Sequence, residues 1–121
     1  MNAKRFDEIF EARIAAMLAT LASKGKEYSS DDDRLYNFKR GAEIERMTPE
    51  RALLGMMTKH VVSVIDLIEG RVPLTESAIN EKFGDNINYL VLGEAALKEK
   101  LDLQRLNEAN QITEKRRGSK K

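Results

Sequence analysis

Both prolines of this 121-residue chain, Pro49 and Pro73, fall between stretches in which apolar residues recur every three or four positions. Proline inside a helix removes a backbone hydrogen bond and clashes with the preceding turn. Its confinement to the gaps leaves the periodic stretches free to be helical throughout. Ala, Leu, Glu, Lys, Arg and Met dominate the chain, and all are good helix formers. The sequence therefore predicts an all-α fold, a helical bundle of four main helices. At this length one domain is the natural count, large enough to bury a core without disulfides or metals.

The first helix is expected from Ala3 to Lys24, with Phe6, Phe10, Arg13, Met17 and Leu21 near one stripe and Ile9, Ile14 and Leu18 beside it. Gly25 stands where a left-handed cap would end it. A polar stretch, KEYSSDDD, leads to a short helix through Leu35, Phe38 and Ala42. Ser30 or an Asp of Asp31–Asp32–Asp33 can cap that helix. The third helix has the clearest start: Thr48 as cap, Pro49 in the first helical position and Glu50 in the first turn. It should stop near Glu69 at Gly70. Leu54, Met57, Val61, Ile65 and Ile68 form one stripe, flanked by Leu53, Met56, Val64 and Leu67. That breadth predicts burial on more than one side, in a bundle core or a subunit interface. The fourth helix should start after Thr75, with Leu74 and Ile79 spaced as a hydrophobic staple. Ile79, Phe83, Ile87, Leu90, Leu97 and Leu101 are expected to carry its core face. Beyond them the pattern fades. The reading is a helical domain over 1–110 and a basic, disordered tail over 111–121.

Composition narrows the chemistry. The chain has no Cys and one His, which removes disulfides, thiolate metal sites, a Cys nucleophile and any convincing zinc site. It also fits a reducing cytoplasm. No charge-free apolar run reaches the ~18 residues of a membrane helix, and the opening residues do not read as a signal peptide. With four Phe, three Tyr and no Trp, there is little for single-stranded nucleic acid to stack on. The 21 basic and 20 acidic groups nearly cancel, yet residues 115–121 hold five of the basic ones and no acid. This end reads as a solvated tail, not as a nucleic-acid module.

Two polar stripes lie on the two most apolar helices. Lys59, Ser63 and Asp66 share a face of the third helix, with His60 one position round. Glu81, Asp85 and Asn88 repeat the spacing on the fourth, with Tyr89 adjacent. A short 70–74 connection favours antiparallel neighbours, so the stripes can face one another. Asp66, Glu81 and Asp85 then supply oxygen ligands of the kind Mg²⁺ uses together with water and substrate phosphates. The plainer reading is that these acids pair with Lys59, Lys82 or Arg on a wet face, and that His60 is a packed or surface histidine.

The stretch EKFGDNINYLVL, Glu81 to Leu92, resembles the second motif of the MazG-like all-α nucleoside triphosphate pyrophosphatases, where an acid-rich segment opens a helix that runs into an apolar stretch. The earlier helix, LLGMMTKHVVSVIDLI, falls where that superfamily has its first motif, a Glu-Glu pair followed by acids at three-residue steps. In register, Lys59 and His60 occupy the pair, Ser63 the next acid and Asp66 the last, so three of the four positions are not acidic. A closer resemblance is to small phage-encoded helical proteins associated with that superfamily and with nucleotide modification. It is carried by Glu27–Tyr28, Asn37–Phe38, Thr48–Pro49–Glu50, Met57 with Lys59, and Asp85 with Tyr89, over roughly residues 24–97.

The resemblance implies a MazG-like bundle completed by oligomerisation into a dimer or tetramer, in the cytoplasm of a host cell, with a nucleotide pocket between inner helices. It places Asp66, Glu81 and Asp85 at Mg²⁺, Lys59 at phosphate, and Asn88 or Tyr89 against the ligand. Tyr28, Asn37 and His60 are further pocket candidates. With Lys59 and His60 in place of acids, fewer divalent ions can be held, which suits nucleotide binding with weak hydrolysis or none. The competing expectation is a non-enzymatic oligomer that binds a protein partner on the same scaffold.

Overall fold

A computed structural model describes residues 1–24 and 33–119, and these residues are all-helical with no strand. Helix α1 spans Ala3–Leu18 and continues as a wider π-type turn over Ala19–Lys24. Its first turn is closed by the Asn2 side chain, which accepts a hydrogen bond from the Arg5 N–H at 2.8 Å. Helix α2 spans Tyr36–Glu45. The expected Asp cap is not made: the N-cap position is Leu35 with no side-chain cap, and the Asp33 carboxylate accepts the Leu35 N–H at 3.0 Å ahead of the helix. The other capping candidates, Ser30, Asp31 and Asp32, lie outside the described residues, as do Gly25 and Tyr28.

Helix α3, Pro49–Ile68, begins as its sequence predicts: Thr48 Oγ1 accepts from the Arg51 N–H at 3.3 Å, and Pro49 and Glu50 occupy the first turn. It ends in a Schellman motif. Gly70 takes φ 73°, its N–H donates to the Leu67 carbonyl, and the Arg71 N–H donates to the Asp66 carbonyl at 2.9 Å. Helix α4 spans Glu76–Ser119, with Thr75 Oγ1 accepting from the Ala78 N–H. The expected disordered tail over 111–121 is therefore helical as far as Ser119. Its Gln, Glu, Lys and Arg residues are good helix formers, and a helix already begun extends at little cost.

Helices α3 and α4 form an antiparallel pair, because Asn86 reaches His60 near the turn and Lys100 reaches Glu50 at the far end. Helix α2 packs on α3, and α1 lies on the first half of α4. Very little is sealed from water. The buried apolar residues are Leu35, Ala42, Ala52, Leu53, Leu67 and Ala96, and α1 buries none of its residues.

The expectation for the core face of α4 is corrected by the packing. Asp85, Asn86, Tyr89, Gly93 and Lys100 meet α3. Ile79, Phe83, Leu90, Leu97 and Leu101 are exposed, and Ile87 is half-buried. Periodicity tells which residues share a face but not what that face packs against. Here Gly93 lies against Leu53, with room for no more than ordinary van der Waals contact, and paired polar groups fill the rest of the contact. A second outward strip, Leu54, Val61, Ile65 and Ile68, runs along α3.

Candidate functional site

His60 and Asp85 are brought together across the α3–α4 pair. The imidazole Nδ1 stands 3.4 Å from the Asp85 carboxylate. The Tyr89 ring lies one turn further along α4, tilted against the imidazole at a centroid distance of 4.8 Å. Phe38 of α2 meets Tyr89 edge-on at 6.2 Å. Three helices thus contribute to one polar and aromatic junction. Burial, and then the charge of Asp85, raise the Tyr89 hydroxyl above its usual pKa.

Asn86 locks the junction in register. Its Nδ2 donates to the His60 carbonyl and to the Lys82 carbonyl, both at 2.8 Å. The backbone that carries His60 is therefore held by α4 itself. Elsewhere on α4, the Asn88 amide oxygen is buried without a hydrogen-bond partner among the described residues. Such an acceptor carries a desolvation cost of about 1–3 kcal/mol until a donor reaches it.

The other candidates are dispersed. Lys59 and Glu81 are exposed. Ser63 turns back on its own helix and donates to the Lys59 carbonyl at 3.1 Å. Asp66 lies near Arg71 at 3.9 Å, and that guanidinium pairs more closely with Glu69. Asn37 is exposed at the start of α2, and Tyr28 lies outside the described residues. The implied metal site meets a direct test here. Asp66, Glu81 and Asp85 do not gather, and among the described residues no three His, Asp or Glu side chains form a group that could hold a metal ion. The residues of one chain do not fit a divalent ion held by this trio.

Sequence reasoning singled out Lys59 as the residue facing α4, whereas His60 does so. One position is a 100° rotation on a helix, enough to exchange them. Asn86 was missed. Its signal was an Asn inside the most regular helical stretch, where its helix propensity is poor unless the side chain is engaged.

Two ion-pair clusters clamp the helices outside this junction. Lys39 of α2 reaches Asp33 at 2.7 Å and Glu99 of α4 at 2.6 Å. The hydrogen bond from Lys39, then that from the Leu35 backbone, hold the Asp33 carboxyl below its ordinary range. Asp33 and then Glu99 raise Lys39. Glu50 is lowered in the same way by Lys100.

An open apolar groove of about 830 Å³ separates α1 from the first half of α4, lined by Phe6, Phe10, Ile79 and Phe83 with Glu8 and Glu76 at its edge. It contains none of the candidate site residues. Comparison of the chain with known protein families, with characterised proteins and with solved structures gives no match. What the fold defines is a class, an all-α protein with one polar and aromatic junction.

Proposed function

We propose that this protein binds a nucleotide, or a closely related phosphate ligand, at the junction of α2, α3 and α4. One observation carries the reading. Where α3 meets α4, His60 of α3 pairs with Asp85 of α4 beside the Tyr89 ring, and α4 also holds the unsatisfied Asn88 amide, whereas the buried residues among those described are otherwise apolar. Tyr89 and His60 offer planar surfaces for a base. Asn88 Oδ1 accepts a donor, and Lys59, at the exposed edge of α3, supplies a cation to phosphate. The resemblance to the MazG-like proteins points to the same ligand class.

Binding without turnover is the form that the acids support. Hydrolysis of a phosphoanhydride in such proteins relies on carboxylate-held cations to neutralise charge, and the three acids stand apart in one chain. Calorimetry with a panel of nucleoside mono-, di- and triphosphates, with and without Mg²⁺, tests the reading. Saturable binding that is weakened in Lys59→Ala and in Tyr89→Ala is expected. No heat from any nucleotide contradicts it. Pyrophosphate release that is lost in Asp85→Asn would restore the enzymatic version.

The second reading is a non-enzymatic interaction protein, favoured by the apolar faces turned outward on α1, α3 and α4. Absence of nucleotide affinity together with a defined protein complex would select it.

A further inference from the structure

Ile79, Leu90, Leu101 and Ile112 lie 11 residues apart along the single helix α4. Eleven residues make three turns at 3.67 residues per turn, so these four side chains follow one nearly straight line. All four are exposed, at 37%, 61%, 43% and 54%. The half of α4 that carries Leu101 and Ile112 is exposed at every residue from 101 to 119. It projects about 28 Å past the helices that cover the first half.

The surface left open is too large for a monomer. The chain exposes 9610 Å², whereas a compact protein of 13.7 kDa exposes about 6,600 Å². The excess, about 3,000 Å² per chain, is more than the roughly 1,000–2,500 Å² per partner that obligate dimers commonly cover.

We propose that a second copy of this chain covers it, with the two α4 helices antiparallel about a two-fold axis between Ala95 and Ala96. That register sets Ile79 opposite the partner's Ile112 and Leu90 opposite the partner's Leu101. By symmetry each pair occurs twice. The same register lays the projecting end of each α4 along the groove between α1 and α4 of its partner, so the groove and the projecting helix complete one another. Charge agrees with it at one point: Glu76 falls opposite the partner's Lys115, and the run Lys115–Arg116–Arg117 arrives at an edge where Glu8 is already paired with Arg5. Near the axis, Glu94 and Lys98, which pair within one chain at 3.6 Å, each come within reach of the partner's Lys98 and the partner's Glu94. The contact is isologous and closes at two copies. It does not depend on what the His60–Asp85 junction binds.

The absence of native cysteine makes the register directly readable. In the full-length chain carrying both Ile79→Cys and Ile112→Cys, mild oxidation should give a covalent dimer, while each single variant should give none. Sedimentation should report twice the 13.7 kDa chain mass. In Leu101→Glu, a change at an exposed position on the projecting half, it should fall to one chain mass with helix content unchanged by circular dichroism. A wild-type monomer at tens of micromolar overturns the proposal, whether or not another protein then occupies the groove. So does cross-linking of Ile79→Cys alone, which marks a parallel pair, and so does an oligomer in which the double variant fails to cross-link.

Discussion

Arg13 of α1 lies across Gly84 of α4, and any Cβ at that position would make its guanidinium shift. A Cβ built on Gly84 would stand 2.5 Å from Arg13 Nη1, while Nη2 donates to the Asn80 carbonyl at 3.0 Å. This contact ties α1 to α4, while Arg34 donates to the Leu21 carbonyl in the π-type continuation of the first helix. In Gly84→Ala two effects oppose one another. Alanine in a helix interior gains about 1 kcal/mol over glycine, and displacing Arg13 forfeits a charged hydrogen bond of about 1–1.5 kcal/mol at this exposed site. Overall stability should therefore change little, while amide exchange in α1 accelerates. Arg13→Ala should accelerate it to the same degree and lower stability as well. Hydrogen exchange by mass spectrometry separates the two, and an unchanged α1 in both variants contradicts the tie.

The same pair shows what the sequence could and could not reveal. Thr48–Pro49, Gly70 and Thr75 set helix ends through bonds to residues within four positions, and each is legible because both partners are neighbours in the chain. Arg13 was read as a member of an apolar stripe, since nothing local announces a glycine 71 positions later. The orientation of α4 was hidden for a related reason. Its most hydrophobic line looks like a core face, but the α3 contact selected the stripe with Gly93 and the paired polar groups. The spacing of Asp85 made its facing α3 legible, whereas the α3 residue that meets it, His60, stands one position round from the stripe expected to do so.

Arg46 closes α2 at φ 57° with its N–H directed to the Glu43 carbonyl, while the Met47 N–H donates to the Ala42 carbonyl at 2.9 Å. A side chain in this left-handed position is strained, and glycine is not. Arg46→Gly should stabilise the fold by about 0.5–1 kcal/mol in urea denaturation. A loss of stability would mean that the Arg46 side chain makes a contact worth more than the strain.

The Lys39 cluster gives a pH dependence whose sign is fixed. Asp33 is lowered in the folded state, so its contribution is complete above its ordinary value of 3.8 and is lost as pH falls through its lower folded value. Lys39 is raised, so its contribution is complete below 10.5 and is lost as pH rises through its higher folded value. Both groups are about a third exposed, and solvent screening keeps each contribution modest. Lys39→Ala should flatten the acid limb and the alkaline limb together in denaturation curves measured across the pH range. Flattening of one limb alone would uncouple Asp33 from Lys39.

Tyr89 should ionise above the usual tyrosine range, because burial and the Asp85 charge both oppose the phenolate. Ultraviolet titration should lose an alkaline phase above that range in Tyr89→Phe. In Asp85→Asn that phase should move to lower pH, since the negative neighbour is gone. An unmoved phase would show that burial acts alone.

The proposal that the α2–α3–α4 junction is a nucleotide site is tested most directly by mapping where a nucleotide lands. Adenosine and guanosine triphosphates titrated into isotope-labelled protein should shift backbone amide resonances around Lys59–Ser63 and Asp85–Tyr89. The shifts should saturate and be strongly reduced in Lys59→Ala. Shifts confined to the α1–α4 groove or to residues 115–119, or no shifts at millimolar nucleotide, would contradict it.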